Sequence, residues 1–120
     1  MAIETDTLLQ KLINWGCDIE GVMDRFLGEK ELYRSCLETV VNDASFEELK
    51  NALEEQNVKT GFEAAHTLKG VLANMGLTPM YEVTVKIVEP LRAGVATGLY
   101  PFYEDLIEKN SYLRKLLELE

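Results

Sequence analysis

The chain holds a single histidine, two cysteines and three prolines among 120 residues, and twelve basic residues face twenty-one acidic ones. One imidazole with two cysteines that form no CxxC pair gives no recognisable metal set. Both cysteines are expected to be reduced thiols, Cys36 in a structural role and Cys17 in a turn whose role is less defined. The formal charge of −9 argues against a nucleic-acid or anionic-membrane partner, because phosphates are repelled overall. No apolar run approaches the roughly 20 residues that cross a bilayer. The opening MAIETDTLLQ lacks the basic start and apolar core of a signal peptide. A cytoplasmic chain is the default expectation, and Met1 points to a free-standing protein. There is no P-loop, and a chain of this length has no room for a kinase catalytic domain beside its core, so no ATP site of its own is expected.

What is present is a helical pattern. The apolar fraction of 47% and charged fraction of 28% fit one globular domain, taken as residues 1–120, and strand-type alternation is absent. Leu8, Leu12 and Trp15 mark a first short helix that starts near Thr5 or Asp6 and stops at Gly16. Asp18 is a plausible N-cap for a second through Ile19, Val22 and Phe26, with Gly28 just past its end. Leu32, Tyr33, Cys36, Leu37, Val40 and Val41 mark a third. Ser45-Phe46-Glu47-Glu48 has the form of a capping box, so a new or kinked helix begins there. The next helix begins between Asn57 and Thr60 and ends near Gly76. Thr78-Pro79 reads as an N-cap followed by proline at the first helical position, and Pro90 is expected to kink that helix or end it early. Pro101 opens a last helix. Short loops between long helices favour antiparallel neighbours. The expected fold is therefore all-α: an antiparallel up-and-down four-helix bundle with additional short N-terminal helices.

The segment AAHTLKGVLANMG, residues 64–76, carries a contradiction. Its residues favour helix, yet Gly70 sits mid-segment, where glycine costs about 0.5–1 kcal/mol relative to alanine. The only histidine, His66, lies one turn earlier. At about 100° per residue, Ala64, Leu68, Val71 and Met75 fall about 140–200° from His66 and form the core stripe, with Leu72 on its flank. Phe62, Glu63, Lys69, Gly70 and Ala73 fall within about 60° of His66. His66 is therefore expected to point outward, with Lys69 within reach of an anion held on the ring and Gly70 leaving the space beside it clear. An imidazole is substantially neutral at cytosolic pH and offers a ring nitrogen lone pair for in-line attack on phosphorus. Phosphoryl transfer asks mainly for positioning and charge neutralisation, and Lys69 can supply part of the second. An exposed surface histidine, a solvated lysine and a glycine serving close helix packing are the plainer readings of the same three residues.

These residues closely resemble the histidine-containing phosphotransfer (HPt) domains of two-component phosphorelays. The resemblance rests on His66, Thr67, Leu68, Lys69 and Gly70, with Gly76 six residues later. The upstream Asp18-Ile19-Glu20-Gly21, Arg25-Phe26-Leu27-Gly28 and Glu31-Leu32-Tyr33 also look like this family's lead-in. The resemblance implies a phosphocarrier, not a kinase. His66 would take a phosphoryl group from the aspartyl phosphate of a receiver domain and relay it to another response-regulator receiver. Lys69 would assist with charge and Gly70 would give access. Implied partners are receiver domains and a hybrid histidine kinase, with the chain itself a monomer. No cofactor is implied on this chain, and Mg²⁺ is expected in the receiver's acidic pocket. In many members a Glu stands twenty-two residues after the histidine, whereas this chain has Val88 there and Glu89 next. Docking is expected over apolar residues flanking His66, namely Phe62 with Leu9 or Ile13 on the first helix. Two competing functions are a non-catalytic helical scaffold and an enzyme using His66 as a general base. The second lacks a nucleophile, an oxyanion site or paired carboxylates around the histidine.

Overall fold

A computed structural model describes residues 3–119. Met1, on which the expectation of a free-standing protein rests, lies outside them. The described residues form seven helices and no strand. They are α1 (Thr5–Trp15), α2 (Ile19–Arg25), α3 (Lys30–Val40), α4 (Ser45–Glu54), α5 (Val58–Asn74), α6 (Thr78–Arg92) and α7 (Tyr100–Leu116). Around the bundle α5 packs against α4 and α6, α6 against α7, and α7 returns to α4. Seventeen residues of α5 span about 25 Å at 1.5 Å per residue. The molecule is 42 Å long, which leaves room for α1–α3 beyond one end of the bundle.

Helix ends follow local chemistry, in places by a different residue from the one the sequence pattern marks. Gly16 closes α1 at φ 105°, and the Asp18 carboxylate caps α2 by accepting from the Gly21 N–H. Asn57, not Thr60, caps α5: its side-chain oxygen accepts from the Thr60 N–H at 3.1 Å. The expected Ser45 capping box does not form. Ser45 is already helical and buried, and its N–H is taken by the Asp43 carboxylate at 2.8 Å. Thr78 is likewise the first helical residue, with Leu77 at the cap. Pro90 does not end α6, which runs on to Arg92. In the last turn a proline removes only one ladder bond, and the following N–H groups of Ala93 and Val95 still reach Glu89 and Pro90 carbonyls.

The core is a continuous aliphatic cluster in which Leu8, Leu12, Leu37, Leu49, Leu68, Leu72, Ile87 and Leu106 are fully buried. Each such side chain contributes about 1.5–3 kcal/mol. Leu32, placed in the apolar pattern of α3, is 54% exposed, and Cys17 is buried whereas Cys36 is only half-buried. Residues of α2, its cap and α3 grip the C-terminal end of α5, where helix geometry leaves carbonyls without partners. Arg25 donates from Nε to Asn74 O at 2.9 Å and from a terminal nitrogen to Ala73 O at 3.4 Å. The buried Tyr33 hydroxyl donates to Met75 O at 2.8 Å, and Asp18 N–H donates to Gly76 O at 2.9 Å. At the N-terminal end of α1, Arg34 donates to Ile3 O and to Thr5 Oγ1, and at its C-terminal end Trp15 meets Tyr112 edge-on at 4.8 Å. The bonds to the carbonyls of Ala73, Asn74, Met75 and Gly76 hold the C-terminal end of the helix that carries His66.

Candidate functional site

The buried stripe of α5 is Gly61, Ala64, Ala65, Leu68 and Leu72, continued by Met75, with Val71 half-buried on its margin. His66 consequently faces solvent, together with Glu63, Gly70 and Ala73, while Phe62 and Lys69 are half-buried beside it. Long helical side chains lean towards the N-terminus of their helix, over the residue three or four positions earlier. The imidazole thus leans over Phe62, and the two rings stack with centroids 5.4 Å apart and planes 28° from parallel. By the same rule the Lys69 stem leans back towards His66. Lys69 has no ion-pair partner among the described residues, so its ammonium is not neutralised by a neighbouring carboxylate.

Gly70 leaves the other side of the imidazole open. Apart from the local helix backbone, nothing lies within 4 Å of where a Cβ would stand on this residue. Close helix packing is therefore not its reason for being there. Packing does explain Gly61, whose added Cβ would meet Leu91 Cδ2 at 3.3 Å and Ala52 Cβ at 3.5 Å. Gly76 has both a conformational and a steric reason. Its φ is 68°, and a Cβ would stand 2.6 Å from Asp18 O and 2.5 Å from Val22 Cγ2. It allows the α2 end of the N-terminal layer to close on the end of α5.

Val88 is fully buried in the core, so the residue that replaces a carboxylate there serves packing. Glu89 turns outward and pairs with Arg92 at 3.5 Å. No hydrogen bond joins a carboxylate to the His66 ring among the described residues. Arg92 reaches across from α6 and sets its guanidinium carbon 5.2 Å from the Phe62 ring centroid. The sequence pattern did not mark Arg92. It shows which face of a helix a residue occupies, but not which neighbouring helix that face meets. Around this contact lies an open groove of about 360 Å³ lined by Val58, Lys59, Phe62, Leu91 and Arg92. Lys59 and Arg92 line this groove and Lys69 stands one turn beyond His66, while Glu63 shares the exposed face and Glu89 pairs with Arg92. Of the two first-helix residues expected beside the histidine, Leu9 is buried and belongs to the core, whereas Ile13 is 49% exposed. Among the described residues no group of three or more His, Cys, Asp or Glu side chains is placed to hold a metal ion.

The family model described as Hpt domain matches residues 31–118, most of the chain. The chain belongs to the Hpt family. No curated protein and no solved structure matched it. Hpt domains are phosphocarriers and not kinases, and the all-helical bundle of this Hpt domain is the fold that the match implies. The matched segment takes in α4–α7 and nearly all of α3, with His66, Lys69, Gly70 and Gly76 inside it. Asp18 and Arg25, which brace the end of α5, precede it. No helix among the described residues of the Hpt domain is long and apolar enough to cross a membrane.

Proposed function

We propose that this Hpt domain relays phosphoryl groups through His66, taking them from the aspartyl phosphate of one response-regulator receiver and passing them to another. The observation that carries the reading is the exposed imidazole with a cation and cleared space side by side on the following turn, in a chain of this family. A lone pair on one ring nitrogen forms the N–P bond while the electron pair of the aspartyl P–O bond leaves with the carboxylate. The other ring nitrogen keeps its hydrogen, so no general base is required for the attack. Lys69 offsets part of the charge on the transferring oxygens, and Gly70 leaves room for the partner's acidic pocket to approach. Any Mg²⁺ belongs to that pocket, and the Hpt domain contributes no cofactor. In this reading the Hpt domain acts as a monomer. The phosphate enters the relay from a hybrid histidine kinase, in keeping with a cytoplasmic protein.

The test is incubation with receiver domains carrying labelled aspartyl phosphate. Wild type gains acid-labile, base-stable phosphate. His66→Gln gains none while keeping its helicity and melting temperature, since its side chain is exposed. Label persisting on His66→Gln removes His66 from the role.

A further inference from the structure

We propose that Phe62 is a positioning residue for the transfer, holding the His66 ring in the attacking rotamer. The inference rests on the reading of His66 as phosphoryl acceptor. An exposed imidazole with no hydrogen bond to fix it would turn freely between rotamers. Here the ring instead lies 5.4 Å from the Phe62 ring, at 28° between planes, within the range of favourable offset stacking. Phe62 is suited to hold it because it is itself held. It is half-buried against the aliphatic core, and the Arg92 guanidinium from α6 sits 5.2 Å from its centroid, with Glu89 pairing Arg92 at 3.5 Å. The nucleophilic lone pair lies in the plane of the imidazole, so covering a face of the ring does not block attack. Phe62 and Gly70, one turn to either side of His66, thus have opposite tasks: one covers a ring face, the other leaves the approach open.

Phe62→Leu keeps an apolar side chain against the core and removes the stack, while Phe62→Tyr keeps the ring. The probe is a receiver domain that acetyl phosphate charges and that phosphorylates the wild type. Single-turnover transfer is followed over a range of receiver concentrations, alongside NMR shifts of the His66 ring C–H protons. Phe62→Leu is expected to lower the saturating transfer rate by roughly 2- to 12-fold, the loss of aligned rotamer that follows from removing a stacking contact. Its half-saturating receiver concentration stays within twofold of wild type. Its His66 ring protons move downfield as the ring current is lost, and Phe62→Tyr restores both rate and shifts. A wild-type saturating rate in Phe62→Leu, or a raised half-saturating concentration with an unchanged rate, overturns the proposal, the latter because it makes Phe62 a docking residue. Unmoved ring protons overturn it too. A wild type that takes no phosphate on His66 from any charged receiver instead defeats the acceptor reading on which the proposal stands.

Discussion

Replacing Gly70 by alanine separates access from packing, because the two reasons for a helical glycine make opposite demands on stability. Gly70 is exposed within α5, and no atom beyond the local helix backbone lies within 4 Å of a new Cβ. Alanine therefore meets no clash and recovers the helix propensity that glycine gives up, about 0.5–1 kcal/mol. At about 2.1 cal/mol/K per residue of unfolding entropy, a chain of 120 residues should melt about 2–4 °C higher. Gly76→Ala is the internal control. There the left-handed φ of 68° costs about 1–2 kcal/mol for an L-residue, and the contact with Asp18 O involves backbone that cannot simply rotate away. With overpacking of about 1–3 kcal/mol, the total is about 2–5 kcal/mol, or a melting temperature lower by about 8–20 °C. Gly70→Gln and Gly70→Leu should also fold, yet slow transfer at least about tenfold, because their side chains enter the space that the phosphoryl group crosses. Calorimetric melts and single-turnover transfer read the series. A Gly70→Ala variant that melts lower than wild type, or a Gly70→Leu variant that transfers at the wild-type rate, refutes the access argument.

Lys69→Ala should slow transfer about tenfold or more while shifting the melting temperature by less than about 2 °C, since a surface charge without an ion-pair partner contributes little to folding; equal transfer rates would return Lys69 to a solvated lysine. Tyr33→Phe leaves Met75 O without its buried donor and should destabilise the domain by about 1–3 kcal/mol in urea unfolding, a loss that an unchanged midpoint would contradict. Burial pushes the Cys17 thiol up to about 12, above its ordinary value near 8.5. Between those values the folded chain retains a proton that the unfolded chain has lost, so stability should fall as pH rises from about 9 towards 12, and Cys17→Ala should flatten that fall. Ellman's reagent should accordingly titrate the half-buried Cys36 well before Cys17 in the native protein.

Much of the bundle was legible because its signals are local. Asp18 caps α2, Gly16 stops α1, and the wheel for α5 places His66 outward because Ala64, Leu68 and Leu72 must face the core. The misplacements share a cause: several nearby residues can perform one local task, and tertiary position selects among them. Asn57 and Thr60 both suit the start of α5, and Asp43 satisfies the N–H that a Ser45 cap would have left to others. Leu9 and Ile13 are one turn apart on α1, and only packing against the neighbouring helices decides that Leu9 is covered. At the site, the neighbours of His66 on its own helix could be read from spacing. The Arg92–Phe62 contact could not, because it depends on how far α6 continues past Pro90 and on where it crosses α5. The reason for Gly76 was equally hidden, since the backbone that approaches it comes from Asp18, 58 residues earlier in the chain.

The central claim, that His66 carries the phosphoryl group, is tested most directly by locating the modification. The domain should be charged by a phosphorylated receiver, digested under neutral to alkaline conditions and mapped by mass spectrometry with electron-transfer fragmentation. One added phosphoryl group is expected, on His66, that disappears on acid treatment and returns to a receiver when uncharged receiver is added. Phosphate found on a serine, threonine, aspartate or tyrosine, or a chain that binds the charged receiver and never acquires phosphate, contradicts it.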